Sequence, residues 1–217
     1  LRAEGLNVGY KDEIVLKDLN FKVNRKEITV ILGKSGSGKT TILKTMVGLI
    51  PPLSGRVFYN KKEINFWSEE SLKFLYRGIG VLFQGSALLN SFNLYDNIAL
   101  PIKMHHQKLS KEIEQEMVFS RLSQVGLSDS FKKFPSELSG GMRKRAALAR
   151  AMILDPDIIF CDEPSSGLDP ITASELDHLI LNLRSHFGIT FVVVTHELRS
   201  IDSIADKTDS IGTVAVL

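Results

Sequence analysis

Short apolar runs rich in β-branched residues alternate with turn-forming residues at the start of the chain. They predict β-strands at residues 6–8, 14–16, 21–23, 28–32, 55–59 and 79–83. Asp18, Leu19 and Asn20 predict a turn between the second and third of these strands. The run at 28–32 is almost continuously apolar, which is typical of a strand buried on both faces of a parallel sheet.

The hydrophobic pattern becomes helical in the middle of the chain. Apolar positions recur at spacings of three and four over 111–125 and 143–153, with no convincing strand between them. Short apolar strands return at 158–161 and 189–194, joined by an amphipathic helix predicted over 173–186. This alternation predicts an α/β fold with a parallel sheet and a helical insertion.

Composition and charge exclude several classes of protein. The 217 residues are 43% hydrophobic and 24% charged, which is typical of a globular chain with a sizeable core and not of a disordered one. The net charge of +2 is too small to predict a nucleic-acid partner. The single cysteine, Cys161, permits neither an internal disulfide nor a cysteine-based zinc cluster. No apolar run approaches the roughly 18 residues of a membrane helix, so we expect no membrane span.

The strongest functional signal is a glycine-rich loop between the buried strand and a predicted helix. It consists of Gly33, Lys34, Ser35, Gly36, Ser37, Gly38, Lys39 and Thr40, which match G-x-x-x-x-G-K-[ST]. Glycines let consecutive backbone N–H groups face one phosphate, and the helix N-terminus adds its dipole. We predict that Lys39 contacts the β- and γ-phosphates of a nucleotide and that Thr40 binds Mg²⁺, with Thr41 also at the nucleotide. The alternative, an exposed Gly/Ser turn, does not explain the flanking strand and helix.

Two carboxylates follow a later apolar strand at 158–161. If that strand lies beside the phosphate-loop strand, Asp162 reaches the Mg²⁺. Glu163 would then hold the attacking water and act as the base. The alternative is an exposed acidic turn before Pro164.

A second glycine-rich helix start lies between these motifs. Ser139 is a predicted N-cap followed by Gly140 and Gly141, and such a helix N-terminus can hold an anion. It contains no lysine, and the chain already has one complete phosphate-binding loop. The second element therefore suggests a half-site for another molecule.

With these motifs the sequence resembles the ATP-binding subunit of an ABC transporter, from Leu6 to about Lys207. The resemblance implies an α/β P-loop NTPase fold with a mixed, largely parallel sheet, an N-terminal antiparallel β subdomain and an inserted α-helical subdomain. It implies one nucleotide-binding domain over 1–217, with a catalytic core at 1–85 and 156–217 and a helical subdomain at 86–155. It also implies ATP hydrolysis with Mg²⁺ in a head-to-tail dimer, where the glycine pair and serine of one copy close over the ATP of the other.

The resemblance implies roles for four more residues. Tyr10 would stack on adenine, unless it is a plain surface tyrosine. Gln84 would contact Mg²⁺ or water and sense the membrane partner, and Asp169 would connect the two sites, unless it only caps a helix. His196 would detect the γ-phosphate. The remaining histidines lie in no motif and are expected to be ordinary core or surface residues: His105, His106, His178 and His186.

Three features depart from the family pattern or are left open. Met142 replaces the commoner glutamine, which removes a polar contact. The cations Arg143, Lys144 and Arg145 are either solvated or face phosphate or lipid headgroups. The sequence at 210–214 does not follow the usual pattern, so the C-terminal region is expected to be incomplete or discontinuous.

The amino-acid sequences of segments 80–88, 139–145 and 162–170 resemble those of the Mla-type phospholipid transport ATPases. That branch implies a permease, an MCE-type lipid-binding protein and a position at the cytoplasmic face of the inner membrane. Phe92, Leu94 and Tyr95 are then predicted to line a groove for the permease, or else to fill the local core. The alternatives are another lipid or lipoprotein system, a regulatory ABC ATPase that moves no solute, and a DNA- or ribosome-acting ATPase, for whose extra modules this chain has no room.

Overall fold

The computed structural model describes residues 1–11, 13–105 and 109–196, and the backbone alone of 211–216. The strands are β1 Arg2–Tyr10, β2 Glu13–Lys22, β3 Ile28–Leu32, β4 Ser54–Tyr59, β5 Lys62–Glu63, β6 Ile79–Leu82, β7 Ile158–Asp162, β8 Thr190–Thr195 and β9 Ile211–Val216. The α-helices are α1 Lys39–Met46, α2 Glu69–Gly78, α3 Leu94–His105, α4 Lys111–Gln124, α5 Gly140–Met152 and α6 Pro170–Phe187. Two 3₁₀ turns, Ser128–Ser130 and Pro135–Glu137, lie between α4 and α5.

The core sheet is parallel at each of its pairings, in the order β6-β7-β8-β3-β9. Strands β7 and β8 are buried along their whole length, and β3 is buried except at its end, as the apolar run at 28–32 predicts. The acidic strand β7 is not the direct neighbour of the phosphate-loop strand β3, which was the condition considered for Asp162, because β8 lies between them. All three strands nevertheless point the same way, so their carboxyl ends reach one edge of the sheet.

The second sheet is antiparallel, in the order β2-β1-β4-β5. The predicted turn at 18–20 is wrong, since β2 runs through these residues as one strand. Asp18 instead takes a left-handed conformation (φ 52°) where the register against β1 shifts. The side-chain oxygen of Asn20 accepts a hydrogen bond from the Gly5 N–H at 2.7 Å. The turn-forming residues therefore build a bulge inside a strand rather than a reversal.

Helices α3, α4 and α5 pack around an apolar cluster of their own, which includes Ile98, Leu122 and Ala149. The periodicity analysis did not predict α3, whose interior contains Pro101. The predicted groove residue Leu94 is fully buried in this cluster, so it belongs to the core. Tyr95 packs at the edge of the same cluster, whereas Phe92 is exposed.

None of the helices in the described ranges combines the length and apolarity that crossing a bilayer requires. At the C-terminal end, β9 pairs in parallel with β3 by its backbone. The residues around Lys207 and His106 lie outside the described ranges.

Candidate active site

The phosphate loop connects β3 to α1 at the carboxyl edge of the core sheet. Gly38 has a left-handed conformation (φ 94°), and a Cβ added there would lie 2.7 Å from Cγ1 of Val15. Glycine is required at this position because β2 packs directly against the loop. Lys34, Ser35 and Gly36 are exposed on its outer side.

Lys39 is buried at the base of this loop, with 6% of the residue exposed. Its Nζ donates to the carbonyl oxygens of Gly33 at 2.8 Å and Lys34 at 2.9 Å. Within the described residues, Oγ of Ser37 is buried and has no hydrogen-bond partner. A buried hydroxyl without a partner is unfavourable, so the loop has donor capacity suited to a phosphate.

Asp162 lies at the end of β7, opposite Thr40 of α1. The hydroxyl oxygen of Thr40 is 3.4 Å from each of the carboxylate oxygens of Asp162. Burial, and then the neighbouring charge of Glu163, raise the pKa of Asp162. A cation beside this carboxylate would favour its ionised form, and hydroxyl and carboxylate oxygens are ligands that suit Mg²⁺.

Glu163 has a left-handed backbone (φ 48°), which is uncommon for a residue with a side chain. Its N–H donates to the Val194 carbonyl at 2.8 Å, so the following strand holds this conformation in place. One carboxylate oxygen, Oε1, lies 2.8 Å from Nδ1 of His196 and 3.5 Å from Nζ of Lys39. The other, Oε2, accepts from the His196 N–H at 3.4 Å. His196, predicted to detect a γ-phosphate, is thus in contact with the predicted base.

Two further predicted residues lie on loops beside this cluster. Gln84, just after β6, is exposed, and its Nε2 donates to Oγ of Ser166 at 3.4 Å. Asp169 caps α6, because its Oδ1 accepts from the N–H groups of Ile171 at 3.1 Å and Thr172 at 3.0 Å. These hydrogen bonds, chiefly from Thr172, lower the pKa of Asp169.

The second glycine-rich element begins α5. Oγ of Ser139 accepts from the Met142 N–H at 3.2 Å, which is the predicted N-cap. A Cβ added at Gly141 would lie 2.3 Å from Cγ2 of Thr172, so the helix start packs tightly on α6. Across the described ranges, no hydrogen bond joins Ser139, Gly140 or Gly141 to the phosphate loop of the same chain.

The three cations after Met142 do not share one environment. Arg143 is exposed and its guanidinium donates to the Leu138 carbonyl at 2.6 Å. Lys144 is only 5% exposed, and its Nζ donates to the carbonyls of Gln84 at 2.6 Å and Glu163 at 3.2 Å. Burial lowers the pKa of Lys144.

Lys144 is therefore neither solvated nor facing phosphate or lipid headgroups, the two environments predicted for these cations. Its contact with the site was not predicted. A signal was present in the sequence, because Lys144 lies three residues after Gly141 and four before Leu148. These residues share the buried face of α5.

The remaining predicted residues have weaker links to the cluster. Tyr10 is 48% exposed at the end of β1, next to the strand that packs on the phosphate loop. Thr41 is buried, and its carbonyl accepts from Oγ1 of Thr45 at 3.1 Å. His105 and His186 are exposed, and His178 lies on α6 with Nδ1 2.7 Å from the Ser174 carbonyl.

Comparison with known sequences gives a consistent result. The family described as "ABC transporter" matches residues 16–166. A relative from Mycobacterium tuberculosis H37Rv, a probable ribonucleotide transport ATP-binding protein named mkl, is 40% identical over 95% of this chain. The chain spans 57% of the length of that relative. The intermembrane phospholipid transport system ATP-binding protein MlaF of Escherichia coli K12 is 42% identical over 88% of this chain and 71% of its own length.

Comparison with solved structures agrees with the sequence relatives. A dimeric structure of a post-hydrolysis state of the ATP-binding cassette MJ0796, bound to ADP and Pi, has a TM-score of 0.83 and 30% identity. The match covers 93% of this chain and 90% of that one. Another similar structure is cbiO1 from Clostridium perfringens, part of the ABC transporter complex cbiONQ. It has a TM-score of 0.83 and 31% identity, and the match covers 91% of this chain and 78% of that chain.

Proposed function

This chain belongs to the ABC transporter family, and on that premise we propose that it is the subunit whose ATP hydrolysis drives a phospholipid transporter. The cassette binds ATP together with Mg²⁺, as its family and the ADP- and Pi-bound neighbour indicate. The observation that supports the activity is the cluster at the sheet edge, where Oε1 of Glu163 lies 3.5 Å from Nζ of Lys39 and 2.8 Å from Nδ1 of His196. That the transported solute is a phospholipid is a separate part of the proposal, which depends on the likeness to MlaF.

In this proposal the phosphate loop binds the triphosphate through its backbone N–H groups, Lys39 and the unpartnered hydroxyl of Ser37. Glu163 orients the attacking water and accepts its proton. His196 fixes the carboxylate of Glu163 through the 2.8 Å contact, which keeps the base in one orientation. Thr40 and Asp162 would hold Mg²⁺, which neutralises charge that develops on the phosphates.

The second part of the proposal is that two copies complete each site. Residues 139–141 present a helix N-terminus that makes no hydrogen bond to the phosphate loop of their own chain within the described ranges. A second copy, arranged head to tail, would bring this N-terminus to the ATP of the first. The likeness to a dimeric cassette supports the arrangement.

The membrane partners follow from the same proposal. The likeness to two MlaF proteins, from E. coli and Haemophilus influenzae, supports a permease, an MCE-type lipid-binding protein and a place at the cytoplasmic face of an inner membrane. Relatives whose names refer to ribonucleotides or methionine make those solutes the alternatives to be tested.

The experiment is to purify this chain with its membrane partner and test transport. Mass spectrometry of the complex identifies the integral membrane protein and any lipid extracted with it. After reconstitution in vesicles, we expect ATP-dependent transfer of a labelled phospholipid, and none with a Glu163→Gln complex of equal composition. ATP-dependent uptake of methionine or a ribonucleotide without lipid transfer would overturn the lipid assignment, and hydrolysis without movement of any solute would favour a regulatory ATPase.

A further inference from the structure

Lys144 of helix α5 contacts two loops that belong to different parts of the site. Its Nζ donates to the Gln84 carbonyl at 2.6 Å and to the Glu163 carbonyl at 3.2 Å. Only 5% of Lys144 is exposed, so this ammonium group is removed from water. A buried cation is unfavourable unless its hydrogens find acceptors, and these two carbonyls supply them.

The backbone at both contacts is conformationally restricted. Glu163 is left-handed, with φ 48°. On the other side, Ser86 and Ala87 follow Gln84 with φ 62° and 50°. Arg150, also on α5, donates to the carbonyls of Ser86 at 3.0 Å and Ala87 at 2.7 Å. Helix α5 thus donates hydrogen bonds to three carbonyls of residues 84–87, through Lys144 and Arg150, and to the carbonyl of Glu163, through Lys144.

The same helix begins at the proposed half-site for a second copy. Lys144 lies five residues after Ser139, the N-cap of α5, which is about 7.5 Å along a helix axis. An α-helix of this length moves as a unit, so a shift at its first turn also moves Lys144. Of the contacts described, Lys144 alone joins α5 by hydrogen bonds to both the Gln84 and the Glu163 backbone.

We propose that Lys144 is a positioning residue that transmits the placement of the α5 N-terminus to the backbone of Glu163 and Gln84. The inference rests on the proposed ATPase function and adds a residue to it. Because Lys144 contacts carbonyl oxygens and not the phosphate loop, its loss affects the hydrolysis step and leaves ATP binding to one copy intact.

The test compares Lys144→Met with Lys144→Arg and with a matched control. Methionine keeps the unbranched chain but has no donors, whereas arginine retains donors that can reach the two carbonyls. Lys103→Met makes the same chemical change on α3, where the exposed Lys103 pairs only with Asp96 at 3.1 Å among its described contacts. For each protein, kcat and KM for MgATP, the affinity for ATP with EDTA present, and Tm are measured.

We expect Lys144→Met to lower kcat by about ten- to hundredfold, because the charge-assisted hydrogen bonds that hold the backbone of Glu163 and Gln84 are lost. ATP affinity should stay within about twofold of wild type, Lys144→Arg should recover most of kcat, and Lys103→Met should match wild type. A wild-type kcat for Lys144→Met, or a loss confined to ATP affinity, would overturn the inference.

If Lys144→Met does not fold, Lys144→Gln takes its place. Its amide keeps a donor but is too short to span both carbonyls, so the same separation of kcat from ATP affinity decides the question. An inactive wild-type chain would instead count against the proposed ATPase function, which separates the two failures.

Discussion

Helices α1 and α5 both begin after a glycine-rich segment, yet their surroundings differ. At α1 the buried Lys39 faces carbonyl oxygens and Glu163, and Thr40 faces Asp162. At α5 the exposed Ser139 accepts from its own helix, and the nearest packing is against Thr172. Both helix N-termini can attract an anion, but at the α1 start charged side chains also surround the place where that anion would bind. The difference fits the proposal that α1 begins at a complete site and α5 at a half-site.

The largest expected effects come from substitutions on the α1 side. Lys39→Ala should abolish ATP binding, because it removes the buried positive charge at the base of the loop and leaves only the exposed Lys34. Glu163→Gln should preserve ATP binding and lower kcat by about 100-fold or more, the usual contribution of a general base. Equilibrium binding of labelled ATP and release of phosphate measure the two effects.

A matched control for these variants is Lys103→Ala, which removes an exposed lysine of α3 whose described ion pair is with Asp96. It should bind and hydrolyse ATP as the wild type does. If the Glu163→Gln chain hydrolysed ATP at a rate near wild type, Glu163 would not be the base and the assignment of α1 as the complete site would need revision.

An intermediate effect is expected on the α5 side, through dimerisation. If two copies form each site, ATPase activity per chain should rise with chain concentration, and Ser139→Ala should lower that activity without changing ATP affinity. Activity and sedimentation are measured over the same concentrations. A constant activity per chain across the change from monomer to dimer would contradict the two-copy site.

Ser110→Ala is the control that separates capping from the half-site. Ser110 caps α4 in the same way, since its Oγ accepts from the Ile113 N–H at 3.4 Å. Each substitution removes one N-cap and should cost about 1 kcal/mol of stability. Only the Ser139 variant should lose ATPase activity.

The two helix starts also differ in how well the sequence predicts them. The loop at 33–40 and the pair Asp162 and Glu163 were predictable because short motifs define them between strands. The placement of β8 between β3 and β7 was not, since strand order depends on long-range packing. Leu94 was assigned to a groove, and the environment of Lys144 was left open, for a related reason. The burial of a helical side chain depends on which element packs against it, and the residue type alone does not reveal that element.

The antiparallel sheet shows the same limit at a local scale. Asp18 and Asn20 favour turns, yet both lie within β2, where a bulge accommodates the left-handed backbone of Asp18. Turn-forming residues indicate a local conformation, and the neighbouring strand decides whether the chain reverses there. Helix α3 was not predicted because Pro101, in its interior, disfavours a helix in the sequence pattern. Packing of α3 against α4 and α5 stabilises the helix despite this proline.

The smallest expected effect on catalysis comes from the packing that positions α5, where the change is mainly one of stability. Gly141→Ala places a Cβ 2.3 Å from Cγ2 of Thr172, so it should lower the free energy of unfolding by about 1–3 kcal/mol through overpacking. Thr172→Ser removes that methyl and keeps the N–H that donates to Asp169. The double variant should therefore recover most of the loss, which denaturant unfolding of all four proteins measures as a coupling energy.

Gly140→Ala is the control for this cycle, because its Cβ would meet only the flexible end of Leu168 at 3.1 Å. It should cost less than Gly141→Ala and should not be rescued by Thr172→Ser. If Gly141→Ala were as stable as wild type, the contact with α6 would not position the helix. If the double variant regained stability but not ATPase activity, Gly141 would be needed at the half-site for close approach of a second molecule as well as for packing. Recovery of both would mean that α5 requires glycine at this position only so that its N-terminus can lie against α6.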